Sequence, residues 1–155
     1  MLKSIEGNFD HPEVNELLTK HFVELRAASP EGSAHVLDIA GLQTSSIKFW
    51  SLWSDNLLMG CGALKFLDNQ HGEFKSIRIH DNFRNKGNGI NVVNHLITEA
   101  KKLDITKLSI ETGAGEFFKP ARKLFKQSGF KPCNPFAHYK DDINSVYLTK
   151  YIGEN

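Results

Sequence analysis

A loop with two glycines lies between a strand-like segment and a helix-like segment, and its residues have the clearest chemistry in the chain. It reads Arg84-Asn85-Lys86-Gly87-Asn88-Gly89-Ile90 and follows the strand-like residues 73–79. Glycines allow a backbone to approach a ligand closely, and free N–H groups at a helix N-terminus attract anions. We therefore expect the loop to bind a phosphate or pyrophosphate, with Arg84 and Lys86 adding positive charge at its rim.

The spacing of the loop excludes two common phosphate-binding motifs. A Walker loop ends in Gly-Lys-Ser/Thr, whereas this loop continues as Gly89-Ile90-Asn91. A dinucleotide fingerprint needs a small residue three positions after Gly89, where this chain has Val92. From the loop alone, a turn that only reverses the chain is an equally good interpretation.

Hydrophobic periodicity and turn residues divide the rest of the chain into alternating strands and helices. A helix with Asp10 as its N-cap is predicted up to about residue 28, and a shorter helix is predicted near 34–42. Further helices are expected at 89–103 and 117–128. Strands are expected at 2–6, 47–53, 57–66, 73–79, 107–111, 130–133 and 145–151. This order predicts a mixed α+β domain.

Length and composition narrow the class of protein. The chain has 155 residues, which predicts one domain over 1–155. Its net charge of +1 argues against a surface built to bind nucleic acid, and its composition excludes a disordered or fibrous chain. The two cysteines are not in a C-x-x-C pair, and the histidines lack metal-ligand spacing, so we expect no metal. Without a signal peptide or an apolar run long enough to span a membrane, a cytoplasmic protein is expected.

Two motifs give the sequence a resemblance to the GNAT superfamily of acyl-CoA-dependent N-acetyltransferases. The loop signature Arg/Gln-x-x-Gly-x-Gly/Ala is matched from Arg84 to Gly89. A second signature, Ala-x-x-Leu-Tyr-x-x-x-Gly-Phe, is matched over residues 121–130 except that Phe125 replaces the tyrosine. Small bacterial members are the most similar, because they also carry Glu-Thr-Gly and Asn-Ser-Val, present here at 111–113 and 144–146.

The resemblance implies a fold and an acyl donor. The implied fold is an α+β, three-layer GNAT-like fold, whose central mixed and mostly antiparallel sheet is flanked by helices and splayed between its fourth and fifth strands. Acetyl-CoA is the implied donor, with the loop amides on its pyrophosphate and the fourth strand pairing with its pantetheine arm. One strand amide would also stabilise the oxyanion. The implied cofactor-binding residues are Ile77, Arg78, Ile79, Arg84, Asn85, Lys86, Gly87, Asn88, Gly89, Ile90, Phe118 and Arg122.

Glu73 is the candidate general base, because some family members place a catalytic glutamate on this strand. It lies eleven positions before Arg84. Regular strand alternation would place Glu73, Lys75, Ile77 and Ile79 on one face, beside the expected pantetheine arm. The alternative is a half-exposed strand carboxylate paired with Lys75 or another cation.

Two departures from the family pattern concern the general acid and the acceptor. Phe125 has no hydroxyl with which to protonate the leaving thiolate. Tyr139 and His138 of the C-terminal segment are candidates to take that place, and ordinary loop packing is the alternative for both. Phe118 stands where the family often has an asparagine that contacts pantetheine. For the acceptor, Arg26 and His35 are the candidates to bind a carboxylate, together with His138; a solvated charge is the alternative for Arg26.

The function that the resemblance implies is transfer of acetyl from acetyl-CoA to a primary amine of a small metabolite, by direct attack in a ternary complex. A non-catalytic acyl-CoA-binding or sensing module is one alternative, and a peptide or protein N-acetyltransferase is another. The expected partners are acetyl-CoA and a small amine, without nucleic acid or membrane, and the chain is expected to be a monomer or homodimer.

Overall fold

A mixed seven-stranded sheet, in the order β1-β2-β3-β4-β5-β7-β6, forms the centre of the molecule. The computed structural model describes residues 2–153. The strands are β1 (Leu2–Glu6), β2 (Ile47–Ser54), β3 (Leu57–Phe66), β4 (His71–Ile79), β5 (Lys107–Gly113), β6 (Lys131–Pro132) and β7 (Ser145–Tyr151). The helices are α1 (Pro12–Ala28), α2 (Ile39–Leu42), α3 (Asn88–Lys102) and α4 (Lys119–Gln127), with 3-10 turns at Asp81–Phe83 and Glu116–Phe118.

Helices cover both faces of the sheet, and each face has its own apolar core. On one face, α1 and α2 pack Val14, Leu17, Leu18 and Leu42 against Phe49 and Ala63. On the other, α3 presents Val92, Val93, Leu96 and Ile97 to Leu64, Phe74 and Leu108 of the strands, with α4 beside it. The three-layer α+β fold expected from the resemblance is therefore confirmed. No helix among residues 2–153 is long and apolar enough to cross a membrane.

β4 and β5 diverge along their length, and they form the one parallel pair of the sheet within residues 2–153. Helix α3 makes the crossover that a parallel connection requires. Pairing joins His71 to Lys107 and ends where Glu73 meets Ser109. β4 continues to Ile79 and β5 to Gly113, so the strands separate beyond Glu73. The expected splay between the fourth and fifth strands is present.

A bulge interrupts β4 and changes which side chains share a face. Ser76 has a φ of 54°, and the pairing with β3 shifts between Cys61 and Ala63. One residue of β3, Gly62, therefore faces two residues of β4, Ser76 and Ile77, which reverses the alternation beyond the bulge. Glu73 and Lys75 lie on the α1 face, whereas Ile77 and Ile79 pack into the α3 core. The prediction that all four share one face is wrong for this reason.

Two details of the helices also differ from the sequence prediction. The N-cap of α1 is His11 rather than Asp10, because the His11 Nδ1 accepts a hydrogen bond from the N–H of Glu13. The second helix is shorter than predicted, since Asp38 caps it and only Ile39–Leu42 are helical. His35 consequently lies in an irregular segment before α2 and not at the start of a helix.

Candidate active site

The glycine loop, residues 84–90, joins the end of β4 to α3 and turns there through two left-handed residues. Asn85 has a φ of 61° and Gly87 a φ of 78°. Gly87 is the N-cap of α3 and has no side chain with which to cap the helix. The N–H groups of residues 88–90 therefore have no intrahelical acceptor and form a partially positive helix end. This geometry fits the anion-binding loop that the sequence predicts.

The two glycines of the loop serve different purposes. A Cβ built on Gly87 would meet nothing within 4 Å, so that glycine is required by its φ and leaves open space above the helix end. A Cβ on Gly89 would lie 3.0 Å from Leu124 of α4. Gly89 therefore allows close packing of α3 on α4, and Gly87 shapes the turn.

The cations of the loop fold back on the residues that precede it, at the end of β4 and in the 3-10 turn. The Nε of Arg84 donates to the carbonyl oxygen of Ile79 at 3.1 Å and lies 3.3 Å from a carboxylate oxygen of Asp81. Lys86 donates through Nζ to the carbonyl oxygen of Asn82 at 3.2 Å. Their positive charge thus remains beside the N-terminus of α3 and holds the turn in shape.

Buried charges of β4 connect the base of the glycine loop to α1. The Arg78 side chain is buried, and its Nη2 donates to Glu24 of α1 at 2.6 Å. Lys20 of α1 forms an ion pair with Asp81, and its hydrogen bond lowers the pKa of that carboxyl. Burial, and then the charges of Arg78 and Arg84, lower the pKa of His21 to about 3.

Phe118 and Arg122 lie at the far side of the gap between β4 and β5. Phe118 is buried against the end of β5, where a Cβ on Gly113 would overlap its ring. Arg122 donates from Nη1 to the carbonyl oxygens of Gly113 and Gly115, both at 2.8 Å. Arg122 therefore fixes the β5–α4 loop, and its contact with a cofactor phosphate stays a prediction.

Glu73 is buried beside the gap, with its carboxylate in a polar contact network. It is 1% exposed, and its Oε2 accepts a hydrogen bond from the Tyr139 hydroxyl at 2.6 Å. The Nζ of Lys75 lies 3.4 Å from the same oxygen and donates to the Tyr139 oxygen at 3.2 Å. The other carboxylate oxygen, Oε1, is buried and has no hydrogen-bond partner among the described residues.

Glu111 adds a second carboxylate to this network, and we call Glu73, Lys75, Glu111 and Tyr139 the Glu73 cluster. Glu111 lies two residues after Ser109, the partner of Glu73 on β5, and therefore on the same face of the sheet. Its Oε2 accepts a hydrogen bond from Ser145 at 2.8 Å. Burial raises the pKa of Glu111, and the Glu73 charge acts in the same direction.

Aromatic side chains from the irregular segments close the cluster. The ring of Tyr139 meets His35 edge-on at 5.1 Å and stacks on His138 at 4.9 Å. Burial, and then the Glu73 charge, raise the pKa of Tyr139. Arg26, by contrast, is exposed at the end of α1, where its guanidinium lies 5.4 Å from the Phe22 ring centre. Of the predicted acceptor residues, His35 and His138 adjoin the cluster, and Arg26 contacts Phe22 instead.

Comparison with known proteins identifies the family. The model of the acetyltransferase (GNAT) family matches residues 12–130, which includes the glycine loop, Glu73 and Glu111. The chain belongs to the GNAT family. It is thus an acyltransferase of the N-acetyltransferase type.

GNAT relatives match most of the chain. It is 44% identical over 140 residues to the uncharacterized N-acetyltransferase YsnE of Bacillus subtilis (strain 168), covering 90% of this chain and 93% of YsnE. It is 37% identical over 145 residues to the uncharacterized N-acetyltransferase YedL of Escherichia coli (strain K12), covering 94% and 91%. The N-acetyltransferase PseH of Campylobacter jejuni, solved with acetyl coenzyme A, has the same fold, with a TM-score of 0.68, 21% identity and 99% and 100% coverage.

The tyrosine position of the second GNAT signature is part of the core in this chain. Phe125 is buried and packs against Phe130, with ring centres 6.1 Å apart. The nearest hydroxyl to the Glu73 carboxylate is instead that of Tyr139, which comes from the segment between β6 and β7. No cluster of three or more metal-ligating side chains occurs within residues 2–153.

Sequence reasoning missed Glu111 and Ser145 as partners, although both lie in motifs that the GNAT resemblance had singled out. The hydrogen bond between them joins the Glu-Thr-Gly motif of β5 to the Asn-Ser-Val motif at the start of β7. The antiparallel register pairs Gly113 with Ser145, which brings the motifs together. The motifs alone did not indicate this contact, because the sequence does not show that β5 and β7 are neighbours in the sheet.

Proposed function

We propose that this acetyltransferase transfers the acetyl group of acetyl-CoA to a primary amine of a small metabolite, by direct attack in a ternary complex. Acetyl-CoA would lie in the gap between β4 and β5, with its pyrophosphate on the amides of the glycine loop. Residues 74–79 of β4 have no partner on β5 and so offer backbone groups to the pantetheine arm. PseH, which has the same fold, was solved with acetyl coenzyme A.

Glu73 is the general base of the proposed reaction. An amine that arrives protonated must lose a proton before it attacks the thioester. Oε1 of Glu73 is free to accept that proton, directly or through one water, because only Oε2 is hydrogen-bonded. An unpaired buried carboxylate oxygen has a free-energy cost, which an incoming ammonium group would offset. This free oxygen beside the gap is the observation that carries the proposal.

Tyr139 is the general acid of the proposed reaction. It takes the role of the tyrosine in the second GNAT signature, whose position is occupied here by Phe125. Its hydroxyl would donate a proton to the leaving CoA thiolate as the C–S bond breaks. The hydrogen bond of 2.6 Å to Glu73 then lets the proton taken from the amine return to the tyrosine oxygen. Lys75, 3.2 Å from the same oxygen, stabilises the negative charge that forms there briefly. The second amine proton leaves to solvent when the amide forms.

A backbone N–H among residues 77–79 is the proposed oxyanion donor. The bulge at Ser76 turns the strand just before these residues, in the part of β4 that has no partner on β5. An N–H held rigidly at this position would stabilise the tetrahedral intermediate, a contribution of typically about 3 kcal/mol. The Arg78–Glu24 ion pair keeps this part of β4 fixed to α1.

The cysteines favour direct attack over an acetyl-enzyme intermediate. Burial raises the pKa of Cys61 to about 12, and its Sγ donates to the carbonyl oxygen of Ser76 at 3.3 Å. Burial also raises the pKa of Cys133. A cysteine nucleophile needs a lowered pKa, so neither thiol is prepared to accept the acetyl group.

The test is release of the CoA thiol from acetyl-CoA in the presence of small amines, polyamines, amino acids and peptides. We expect turnover with small amines and initial-velocity lines that intersect when both substrates are varied. Parallel lines would contradict direct attack, and turnover with peptides alone would contradict a small acceptor. A bound acetyl-CoA without turnover of any acceptor would contradict the proposed reaction.

A further inference from the structure

The Glu73 cluster has more carboxylates than ammonium groups. Glu73 of β4 and Glu111 of β5 are its two carboxylates, and Lys75 supplies a single ammonium that is already shared between Glu73 and Tyr139. Asp142 adds a carboxylate near His35, the neighbour of Tyr139, and accepts a hydrogen bond from Ser33 at 2.7 Å. An acceptor whose amine reaches Glu73 therefore meets net negative charge.

Only one of the two carboxylates is used by the proposed reaction. Glu73 takes the proton of the reacting amine, and its Oε1 is the oxygen without a partner. Glu111 uses Oε2 to accept from Ser145, which fixes the side chain while its second oxygen receives no side-chain hydrogen bond within residues 2–153. A partly buried carboxylate held in this way is suited to bind a cation from the substrate.

The aromatic rings around the cluster also suit a cation. Tyr139, Tyr147 and Phe136 contact one another, with the Tyr139 and Tyr147 ring centres 5.8 Å apart. Faces of aromatic rings attract ammonium groups, and here Lys75 already lies 5.9 Å from the Tyr139 ring centre. The cluster thus combines carboxylates with aromatic walls, which would disfavour a substrate carboxylate.

We infer that the acceptor is an aliphatic diamine, with its reacting nitrogen at Glu73 and its second ammonium group bound to Glu111. The inference rests on the proposed function and names the substrate class for the same site. Glu111 lies two residues along β5 from the partner of Glu73, so the Cα atoms of the two glutamates are about 8 Å apart across the pair of strands, a distance that side chains and a four-carbon diamine can bridge. Transfer forms one N–C bond, breaks the C–S bond of acetyl-CoA and releases the CoA thiol and one net proton, while the second ammonium is unchanged.

This inference departs from the expectation that the acceptor carries a carboxylate. Arg26 does not contact the cluster, and the His35 imidazole meets the ring of Tyr139 near Glu111 and Asp142. Among the described residues of the Glu73 cluster, Lys75 is therefore the only ammonium group that a substrate carboxylate could bind, and it is already bonded to Glu73 and Tyr139.

Three acceptors with the same four-carbon chain test the inference in the unmodified enzyme. They are 1,4-diaminobutane, 1-aminobutane and 4-aminobutanoate, whose far ends are positive, neutral and negative. We expect kcat/KM to be about 10-fold higher for the diamine than for 1-aminobutane, and lowest for 4-aminobutanoate. Equal values for the diamine and 1-aminobutane, or a preference for 4-aminobutanoate, would overturn the inference.

Glu111→Gln tests the residue assignment, because its amide oxygen still accepts the Ser145 hydrogen bond. We expect kcat/KM for the diamine to fall about 10-fold, mainly through KM, with little change for 1-aminobutane or for the KM of acetyl-CoA. The matched control is Glu6→Gln, an exposed carboxylate on β1 paired with Lys48, which should behave as the unmodified enzyme.

An equal loss for all three amines in the Glu111→Gln variant would indicate a structural role and overturn the assignment. Failure of the proposed function can be told apart from failure of this inference. If the unmodified enzyme does not acetylate 1-aminobutane, the proposed function fails; if it does, that function stands whether or not the diamine is preferred. The ratio of the diamine to 1-aminobutane reports on Glu111.

Discussion

The glycine loop and the Glu73 cluster adjoin opposite ends of the unpaired part of β4, and they are built from different parts of the chain. The loop uses seven consecutive residues and offers mainly backbone N–H groups, while its cations bond to residues 79–82 just before it. The cluster uses side chains from β4, from β5 and from the segment before β7. A loop that binds through its backbone depends on conformation, whereas the cluster depends on the identity of each side chain.

The difference separates two properties of the enzyme. Binding of acetyl-CoA should respond to changes of backbone conformation in the loop, and turnover and acceptor choice should respond to changes of side chains in the cluster. Mutations that affect one property and leave the other unchanged would sharpen this division. Mutations that affect both equally would break it.

Glu73→Gln should give the largest effect. The amide has almost the same shape as the carboxylate but cannot take a proton from the amine, so we expect kcat to fall about 10²–10⁴-fold. The dissociation constant of acetyl-CoA should be unchanged. Thiol release measures the first quantity and calorimetric titration the second, with Glu6→Gln as the control. A kcat close to that of the unmodified enzyme across the pH range would refute the assignment of the base.

Gly87→Val should weaken acetyl-CoA binding about 30-fold or more. The φ of 78° strains a β-branched residue, so the turn must change its shape at the helix end. Gly7→Val is a matched control, because Gly7 has a φ of 83° and no atom within 4 Å of its Cβ position. We expect both variants to lose similar stability in thermal unfolding. Normal acetyl-CoA affinity in the Gly87 variant would show that the loop does not bind the donor.

Tyr139→Phe should reduce kcat about 10-fold, because the CoA thiolate is a tolerable leaving group even without a general acid. The aromatic contacts with His35 and His138 do not involve the hydroxyl, so the phenylalanine ring should keep the packing of the tyrosine ring. Tyr151→Phe is the control, since Tyr151 is exposed at the end of β7. Steady-state kinetics with saturating acetyl-CoA would measure the effect, and an unchanged kcat would assign the proton to another group.

The last prediction concerns stability rather than activity, at His21, whose pKa responds to the charges of Arg78 and Arg84. Its folded-state pKa of about 3 is below the unfolded value of 6.5, so below pH 6.5 the unfolded chain binds more protons. Stability from the neutral imidazole is therefore present above pH 6.5 and is lost as the pH falls towards 3. Between pH 6.5 and 5 the loss is about 2 kcal/mol. Urea unfolding of a His21→Leu variant should show a correspondingly weaker pH dependence, and the same dependence in both proteins would contradict this account.

The sequence predicts the glycine loop and most of the fold because their signals are local. The strand bounds 2–6, 57–66 and 145–151 agree with the structure, and Gly129 follows α4 with a φ of 95°. The bulge at Ser76 could not be predicted, because serine gives no indication of the left-handed φ that the β3 pairing imposes. The prediction that Ile77 and Ile79 share a face of the sheet with Glu73 was wrong as a consequence.

The Glu73 cluster was only partly predictable because its members are distant in the chain. Tyr139 was a candidate from the resemblance, but its contact with Glu73 spans 66 positions and depends on how the segment before β7 folds. Glu111 has no local signal at all, since its partner Ser145 is 34 positions away on a neighbouring strand. Contacts between side chains that are distant in the chain can be predicted only once the order of the strands in the sheet is known.

Hydrogen–deuterium exchange with saturating acetyl-CoA tests most directly whether the gap between β4 and β5 receives the donor. We predict slower exchange in peptides that cover residues 74–79 and 84–90, and no change in peptides that cover β1 and β2. Protection confined to the β1–β2 side of the sheet, with residues 74–90 unchanged, would contradict the account.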